Sequence, residues 1–227
     1  MRRTPVWLFD LDNTLHDATH AAMPGINAGM TDYIVEFLGL EREQADALRR
    51  HYWRRYGATL LGLVRHHGVR ASHFLHHTHR LPGLEARVRG HAHDVAALQQ
   101  LPGRKYILTN APRAYAERVL AALDIGRWFD GVFSVEDMRM FGQLRPKPDV
   151  RMLRRLVASL GVAPSQCVLV EDTLEHQKAA RRVGLRTVWM QRWLRRGAPA
   201  RPAGRPAYVD LRVRHLRALW RLCAGGG

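Results

Sequence analysis

The feature that most constrains this chain is Val6-Trp7-Leu8-Phe9 running straight into Asp10-Leu11-Asp12-Asn13-Thr14. Four apolar residues without alternation read as a strand buried on both faces, which belongs inside a parallel sheet covered by helices. Open α/β sheets gather their ligands at the carboxyl ends of strands. At that place stand two carboxylates, Asp10 and Asp12, two positions apart. A continuing strand would aim both alike, but this strand is ending, so the pair can splay around one point. Two acids at the edge of an apolar core are costly unless a positive group sits between them. A hard cation with oxygen ligands meets that need, and Mg²⁺ is the expected ion.

Other strand ends repeat the pattern. Lys105-Tyr106-Ile107-Leu108 stops at Thr109-Asn110, with Pro112 opening a helix. Thr109 offers a hydroxyl, and the backbone N–H groups of a helix start make an anion site. Cys167-Val168-Leu169-Val170 ends in Glu171-Asp172. Between them lies Arg145-Pro146-Lys147-Pro148-Asp149, where two prolines stiffen the backbone around a lysine. Only Lys105, Lys147 and Lys178 are lysines in a chain otherwise charged by arginine, so Lys147 suits a compact phosphate-binding charge. Each group has a second reading when taken singly. Asp10, Asp12 and Thr14 could shape a turn, Thr109-Asn110 could cap a helix ahead of Pro112, Asp172 could cap the helix from Thr173, and Lys147 could be a surface lysine.

Taken together, Asp-x-Asp-x-Thr, Thr-Asn, Lys-Pro and Glu-Asp, in that order from residue 5 to about residue 190, resemble the haloacid dehalogenase-like phosphohydrolases. Phe9 through Leu15, Tyr52 through Tyr56-Gly57 and on to Gly62-Leu63, Thr109-Asn110-Ala111, and Leu123-Asp124-Ile125 through Phe129-Asp130-Gly131 are similar to the pyrimidine 5′-nucleotidase branch.

That resemblance implies phosphoryl transfer through an aspartyl-phosphate. Carried to matching positions, Asp10 is the nucleophile, and Asp12 protonates the leaving alcohol and later deprotonates water. Mg²⁺ would be held by Asp10, the Asp12 backbone carbonyl and Asp172, with Glu171 helping directly or through water. Thr109, Asn110 and Lys147 would grip the phosphoryl oxygens, and Thr14 would orient the nucleophile loop. One position departs from the family pattern. Four residues after Asp172 the family usually places Asp or Asn, and here stands His176, which adds no negative charge to the outer shell of the metal. His16, Tyr52, Arg55 and Tyr56 are the candidates for base and sugar contacts, with packing as their other reading.

The expected fold is α/β: a Rossmann-like parallel sheet with helices on both faces, residues 1–15 plus 91–227, interrupted by an all-helical cap at 16–90. Helices are expected at Ala21–Leu38, Glu41–Tyr56, Leu60–His67, Ser72–His79 and Leu84–Arg89. They are followed by His91–Gln100, Arg113–Leu123, Asp149–Leu160 and Thr173–Val183. Strands are expected at Lys105–Thr109, Gly131–Ser134, Cys167–Val170 and Arg186–Met190, with Tyr208-Val209-Asp210 as an edge strand before a helix Leu211–Leu222. Residues 195–206 read as a mobile loop and Gly225–Gly227 as disordered. His73 and His77 have the i, i+4 spacing of metal ligands, but no Cys or acid completes a site, so a solvated face is expected.

The chain has 227 residues and a formal charge of +16, enough length for one good core plus an insertion. The charge alone admits nucleic-acid or membrane-surface binding. Arg54-Arg55, Arg154-Arg155 and Arg181-Arg182 at helical positions instead suggest solvated helix faces, so no polymer partner is expected. No run reaches the roughly 18 apolar residues of a membrane span. Met1-Arg2-Arg3-Thr4-Pro5 leave no room for a secretion signal, so a cytoplasmic enzyme, monomer or homodimer, is expected. Cys167 and Cys223 are not expected to pair. The activity expected is a Mg²⁺-dependent phosphatase for nucleoside 5′-monophosphates such as UMP or CMP. The alternatives are a phosphatase for another small ester such as phosphoglycolate, a sugar-phosphate mutase, or a non-catalytic basic binding protein.

Overall fold

The computed structural model describes residues 4–193 and 204–224. Residues 195–203 and Gly225–Gly227 of the expected loop and tail lie outside them. The chain divides into two compact units, residues 1–18 with 88–227, and residues 19–87.

The first unit is built on a six-stranded sheet. Its strands are β1 (Val6–Phe9), β2 (Arg104–Leu108), β3 (Gly131–Phe133), β6 (Cys167–Glu171), β7 (Arg186–Met190) and β8 (Leu211–Val213), with β4 (Arg139–Met140) and β5 (Gln143–Leu144) forming a separate hairpin. The spatial order is β3-β2-β1-β6-β7-β8 and every pairing is parallel. With the hairpin set aside, the chain runs outward one way from β1 and then the other way from β6. The order therefore reverses between β1 and β6, and the crevice outside their carboxyl ends is where such sheets bind ligands.

β1 is central because all of its side chains can be buried. Val6, Leu8, Cys167 and Leu169 share a core with Met152, Leu153, Leu156 and Val157 of the helix Val150–Ser159, and with Ala179 and Ala180 of the helix Leu174–Val183. The pleat turns Trp7 and Phe9 to the other face, where Phe9 meets Phe129 edge-on at 5.8 Å. Trp7 Nε1 donates to Pro102 O at 2.8 Å, so its one polar atom is satisfied in the core. Burying each of these large side chains contributes on the order of 1.5–3 kcal/mol. On the helices Ala92–Gln100 and Arg113–Ala122, Ala97, Leu98, Tyr115, Ala116, Val119 and Leu120 are buried.

The end of the chain differs from expectation. The edge strand is Leu211–Val213, three residues later than Tyr208, and the expected long helix is a short turn at Leu216–Leu219 followed by Trp220–Ala224. Side chains explain the shift. Asp210 accepts the Thr187 N–H at 2.8 Å and Thr187 Oγ1 donates to Tyr208 O at 2.7 Å, beside one backbone bond from Asp210 N to Thr187 O at 3.0 Å, so side chains take up most of the pairing of residues 208–210 with the start of β7. Ladder pairing begins only at Leu211, opposite Val188.

The second unit consists of the helices Met23–Leu38, Arg42–Tyr56, Thr59–His67 and Ala71–Thr78 with a short turn at Leu84–Arg87. Gly39, Gly57 and Gly68 end three of them in the left-handed conformation that glycine adopts without strain. Ile26, Tyr33 and Ile34 of the first helix are buried, but Phe37 remains 42 % exposed, packed on His73 and His77. His73 Nδ1 lies 2.9 Å from the Tyr33 hydroxyl, so this histidine pair joins an aromatic cluster. Both cysteines are free thiols. Among the described residues no helix is long and apolar enough to cross a membrane.

Candidate active site

β1 is held to β6 one residue past its end, where Asp10 N donates to Val170 O at 2.9 Å. That bond sets Asp10 beside the end of β6, whose last residue is Glu171. Lys147 enters from the loop before the helix Val150–Ser159. Its Nζ lies 2.7 Å from Asp10 Oδ1 and 2.7 Å from Glu171 Oε2, and all three side chains are buried. The loop is fixed at both ends of the lysine. Asp149 caps the following helix by accepting from Arg151 N and Met152 N, and it pairs with Arg145 at 3.1 Å. Asn110, at the end of β2, accepts the Lys147 N–H at 2.9 Å and donates Nδ2 to Lys147 O at 2.9 Å. Lys147 is only 2 % exposed, which removes its reading as a surface lysine.

Carboxylate oxygens of Asp10, Glu171 and Asp172 all lie within 4.8 Å of one another. Trp189 Nε1 donates to Asp172 O at 2.8 Å, and Gln177 Nε2 donates to Glu171 O at 2.8 Å, so the end of β6 is fixed from both sides. Asp172 does not cap the next helix; Thr173 is the N-cap residue and no side-chain cap bond forms. His176 Nδ1 lies 3.0 Å from Glu171 Oε2, placing this departure from the family pattern against an acid of the cluster.

The electrostatics expose an imbalance. Burial pushes the Asp10 carboxyl up to about 6, with Glu171 adding to the shift and Lys147 only partly opposing it. Burial, then the charges of Glu171 and Asp10, hold Asp172 well above the ordinary carboxylate range. Burial acts the same way on Glu171, but Lys147 and His176 outweigh it and keep that carboxyl well below its usual range. Burial also opposes the Lys147 charge, yet the two acids raise its ammonium above the ordinary lysine value. Three carboxylates thus face one ammonium. The surplus is negative, oxygen-only and compact, which fits a hard divalent cation held by Asp10, Glu171 and Asp172.

Asp12 takes a different direction from Asp10. Tyr115 donates its hydroxyl to Asp12 Oδ1 at 2.7 Å, and His16 Nε2 lies 2.9 Å from the same oxygen. The Asp12 carboxylate is therefore not one of the clustered carboxylates of Asp10, Glu171 and Asp172. Thr14 is fully buried in the same loop, with its N–H on Leu11 O at 3.3 Å. Asn13 takes a left-handed conformation, φ 57°, which asparagine tolerates better than most residues.

The profile of the haloacid dehalogenase-like hydrolases matches residues 6–184. The chain belongs to this hydrolase family. Among curated proteins, it is 39 % identical over 75 residues to a phosphoserine phosphatase of Thermus thermophilus, covering 33 % of this chain and 28 % of that protein. It is 29 % identical over 103 residues to the pyrophosphatase PpaX of Bacillus velezensis, covering 45 % of each. This hydrolase thus spans less than half the length of these curated relatives. Among solved structures, a HAD phosphatase from Thermococcus onnurineus superposes with TM-score 0.62 at 20 % identity, covering 99 % of both chains. CbbY from Rhodobacter sphaeroides, solved in complex with phosphate, gives 0.62 at 19 % identity over 96 % of both. An L-2-haloacid dehalogenase from Xanthobacter autotrophicus gives 0.60 at 17 % identity over 99 % of this chain and 100 % of that one. At these identities the structures speak for the fold alone.

In this hydrolase Thr109 is buried, and its Oγ1 accepts the Ala111 N–H at 3.0 Å; the helix beyond begins with Pro112 as N-cap, not with Thr109 or Asn110. The Asn110 carboxamide is engaged on the Lys147 backbone, so this side chain positions the lysine and is not free for the expected grip on phosphate. His16 is 0 % exposed and bound to Asp12, which corrects its reading as a base or sugar contact. Tyr52 is likewise buried within the second unit, its hydroxyl 2.8 Å from His67 Nε2 and its ring stacked on His66. Arg55 is exposed, and Tyr56 is half-buried with its hydroxyl 2.5 Å from His66 Nε2. Tyr115 was not among the expected site residues. Its apolar neighbours Ala116, Val119 and Leu120 make it look like a core residue of an amphipathic helix, and nothing local in the sequence points its hydroxyl at Asp12.

Proposed function

We propose that this hydrolase is a Mg²⁺-dependent phosphomonoesterase working through an aspartyl-phosphate on Asp10. The observation that carries this reading is the buried Lys147 bridging Asp10 and Glu171 beside Asp172, with Asp12 held apart from them. Bound at Asp10, Glu171 and Asp172, Mg²⁺ would neutralise the surplus acid and offset charge on the phosphoryl oxygens.

The chain's own residues then divide the work. Asp10 attacks phosphorus, forming an Oδ–P bond as the ester P–O bond breaks, and Asp12 gives its proton to the departing alcohol oxygen. In the second half Asp12 takes a proton from water, whose oxygen attacks phosphorus and frees phosphate and Asp10. Lys147 balances the negative charge of the transferring group, and Thr109 has its hydroxyl proton to donate to a phosphoryl oxygen. Asn110 and Asp149 keep Lys147 in register.

The substrate class is a small phosphomonoester. The proposed preference is for pyrimidine nucleoside 5′-monophosphates, on the motif resemblance. Phosphoglycolate and sugar phosphates are served by the same acid–lysine geometry, and the phosphatase relatives favour a small ester as much as a nucleotide. Phosphate release from a panel of UMP, CMP, phosphoglycolate, phosphoserine and sugar phosphates decides among them. Highest kcat/KM on UMP or CMP, abolished by EDTA, supports the nucleotidase reading; a faster small ester moves the assignment there. No release from any phosphomonoester with Mg²⁺ present sinks the proposal.

A further inference from the structure

We infer that Tyr115 and His16 form a clamp that positions Asp12 as the proton donor to the leaving group; the inference rests on the phosphatase reading above. Both contacts converge on one oxygen, Asp12 Oδ1: the Tyr115 hydroxyl at 2.7 Å and His16 Nε2 at 2.9 Å. Tyr115 and His16 also approach each other, hydroxyl to Nε2, at 3.4 Å. Three groups from two separated segments thus close a small triangle around the carboxylate.

The hydrogen positions follow from the chemistry. Oδ1 accepts, so the Tyr115 proton points to it and the His16 contact requires the proton on Nε2, which leaves Oδ2 as the oxygen that carries the proton for the leaving group. His16 Nδ1 is buried and has no hydrogen-bond partner among the described residues, which suits the neutral Nε2–H tautomer. The Tyr115 side chain is buried, and a phenolic hydroxyl keeps its proton at neutral pH, so it stands as a donor to Asp12.

The clamp is assembled by the fold. Leu15 N donates to Leu11 O at 2.9 Å, a helical-type turn that brings His16 one turn beyond Asp12. Tyr115 comes from the helix Arg113–Ala122, which follows β2. Its ring and that of His16 are buried, so neither can leave without opening the core. Asp10 and Asp12 thereby acquire different partners although they stand two residues apart: ammonium and acids for one, hydroxyl and imidazole for the other. A carboxyl group kept at a fixed angle transfers a proton over a short, aligned path; a freely rotating one does so only part of the time.

Leaving-group chemistry tests this. Alkyl phosphates depart as poor leaving groups and need the proton, whereas nitrophenyl phosphate departs with little help. kcat/KM reports the first, bond-breaking half-reaction. Tyr115→Phe removes one hydroxyl, and general acid help is worth roughly 10²–10⁴-fold. The expected result is a loss of about tenfold or more in kcat/KM on the alkyl ester, with less than about threefold on nitrophenyl phosphate. His16→Gln, which keeps an N–H donor near the place of Nε2, should retain more alkyl-ester activity than His16→Leu. That rescue carries the comparison should Tyr115→Phe not fold. Equal losses on both esters, or an unaffected alkyl ester, overturn the clamp while leaving the phosphatase reading intact. A wild-type protein that hydrolyses neither ester takes down both.

Discussion

The Asn110 carboxamide holds the Lys147 backbone from two sides, accepting its N–H at 2.9 Å and donating to its carbonyl at 2.9 Å. This cross-link joins the end of β2 to the lysine loop, and it fixes where the ammonium sits between Asp10 and Glu171. Asn110→Ala should cost about 1–3 kcal/mol, since it leaves buried backbone groups without partners. Phosphate release should fall about tenfold or more as Lys147 loosens. Denaturant unfolding and steady-state kinetics on the same samples check both; full activity in Asn110→Ala would show that Lys147 needs no such anchor.

Lys147→Met leaves two buried acids without their ammonium. Removing one member of a buried ion pair typically destabilises by about 3–5 kcal/mol, so the variant should unfold at much lower denaturant and release no phosphate. A midpoint within error of wild type would contradict the burial of the bridge.

Asp10→Asn should abolish turnover while leaving the fold intact. Because burial and Glu171 make the ionised Asp10 unfavourable, a neutral amide there should not weaken the metal-free protein at neutral pH. Measurable turnover in this variant removes Asp10 from the nucleophile role.

Mg²⁺ binding should depend on pH with a definite sign. Asp10 in the folded, metal-free protein is pushed up to about 6, so the native state holds that proton more tightly than the unfolded chain does. Its contribution to metal-free stability therefore falls as pH rises from about 4 to about 6 and is flat above. Asp172 has the same sign. Glu171 has the opposite one, its contribution being lost only as pH falls below the usual carboxylate range. A cation takes the place of the Asp10 proton, so the Mg²⁺-induced rise in Tm should be small at about pH 5 and larger at about pH 7.5. Differential scanning calorimetry with and without Mg²⁺ measures it. A shift independent of pH across that range would place the cation away from Asp10.

Gly62→Ala tests the second unit by itself. A Cβ at Gly62 would lie 2.2 Å from Tyr52 Cγ, and the Tyr52 ring is held by His66 and His67. Overpacking of this kind costs about 1–3 kcal/mol. A Tm equal to wild type would show that the Tyr52 ring can move aside.

The contrast between Asp10 and Asp12 shows how far the sequence could be read. The Asp10 position was legible because a fully apolar strand ending in acid is a local pattern, and so were Glu171-Asp172 at the end of β6. The Lys147 loop was legible as a stiff, proline-flanked lysine. The partners of Asp12 were not. His16 looked like a ligand contact and Tyr115 like core, since no period of helix or strand records where a hydroxyl or imidazole nitrogen points. Asn110 was misread for a related reason: a polar side chain at a strand end can face a ligand or a neighbouring loop, and only the position of that loop decides. The edge strand moved from Tyr208 to Leu211 because Asp210 and Thr187 bind each other across the chain, a contact between residues 23 positions apart.

The sequence by itself determined the parallel sheet, its helical interruption and the acids at its strand ends, because burial and strand termination act over a few neighbouring residues. Tertiary structure alone decided which acid meets the ammonium and which meets the hydroxyl. Those pairings join residues 137 and 103 positions apart, and their directions exist only once β1, β6 and the helix of Tyr115 are packed together.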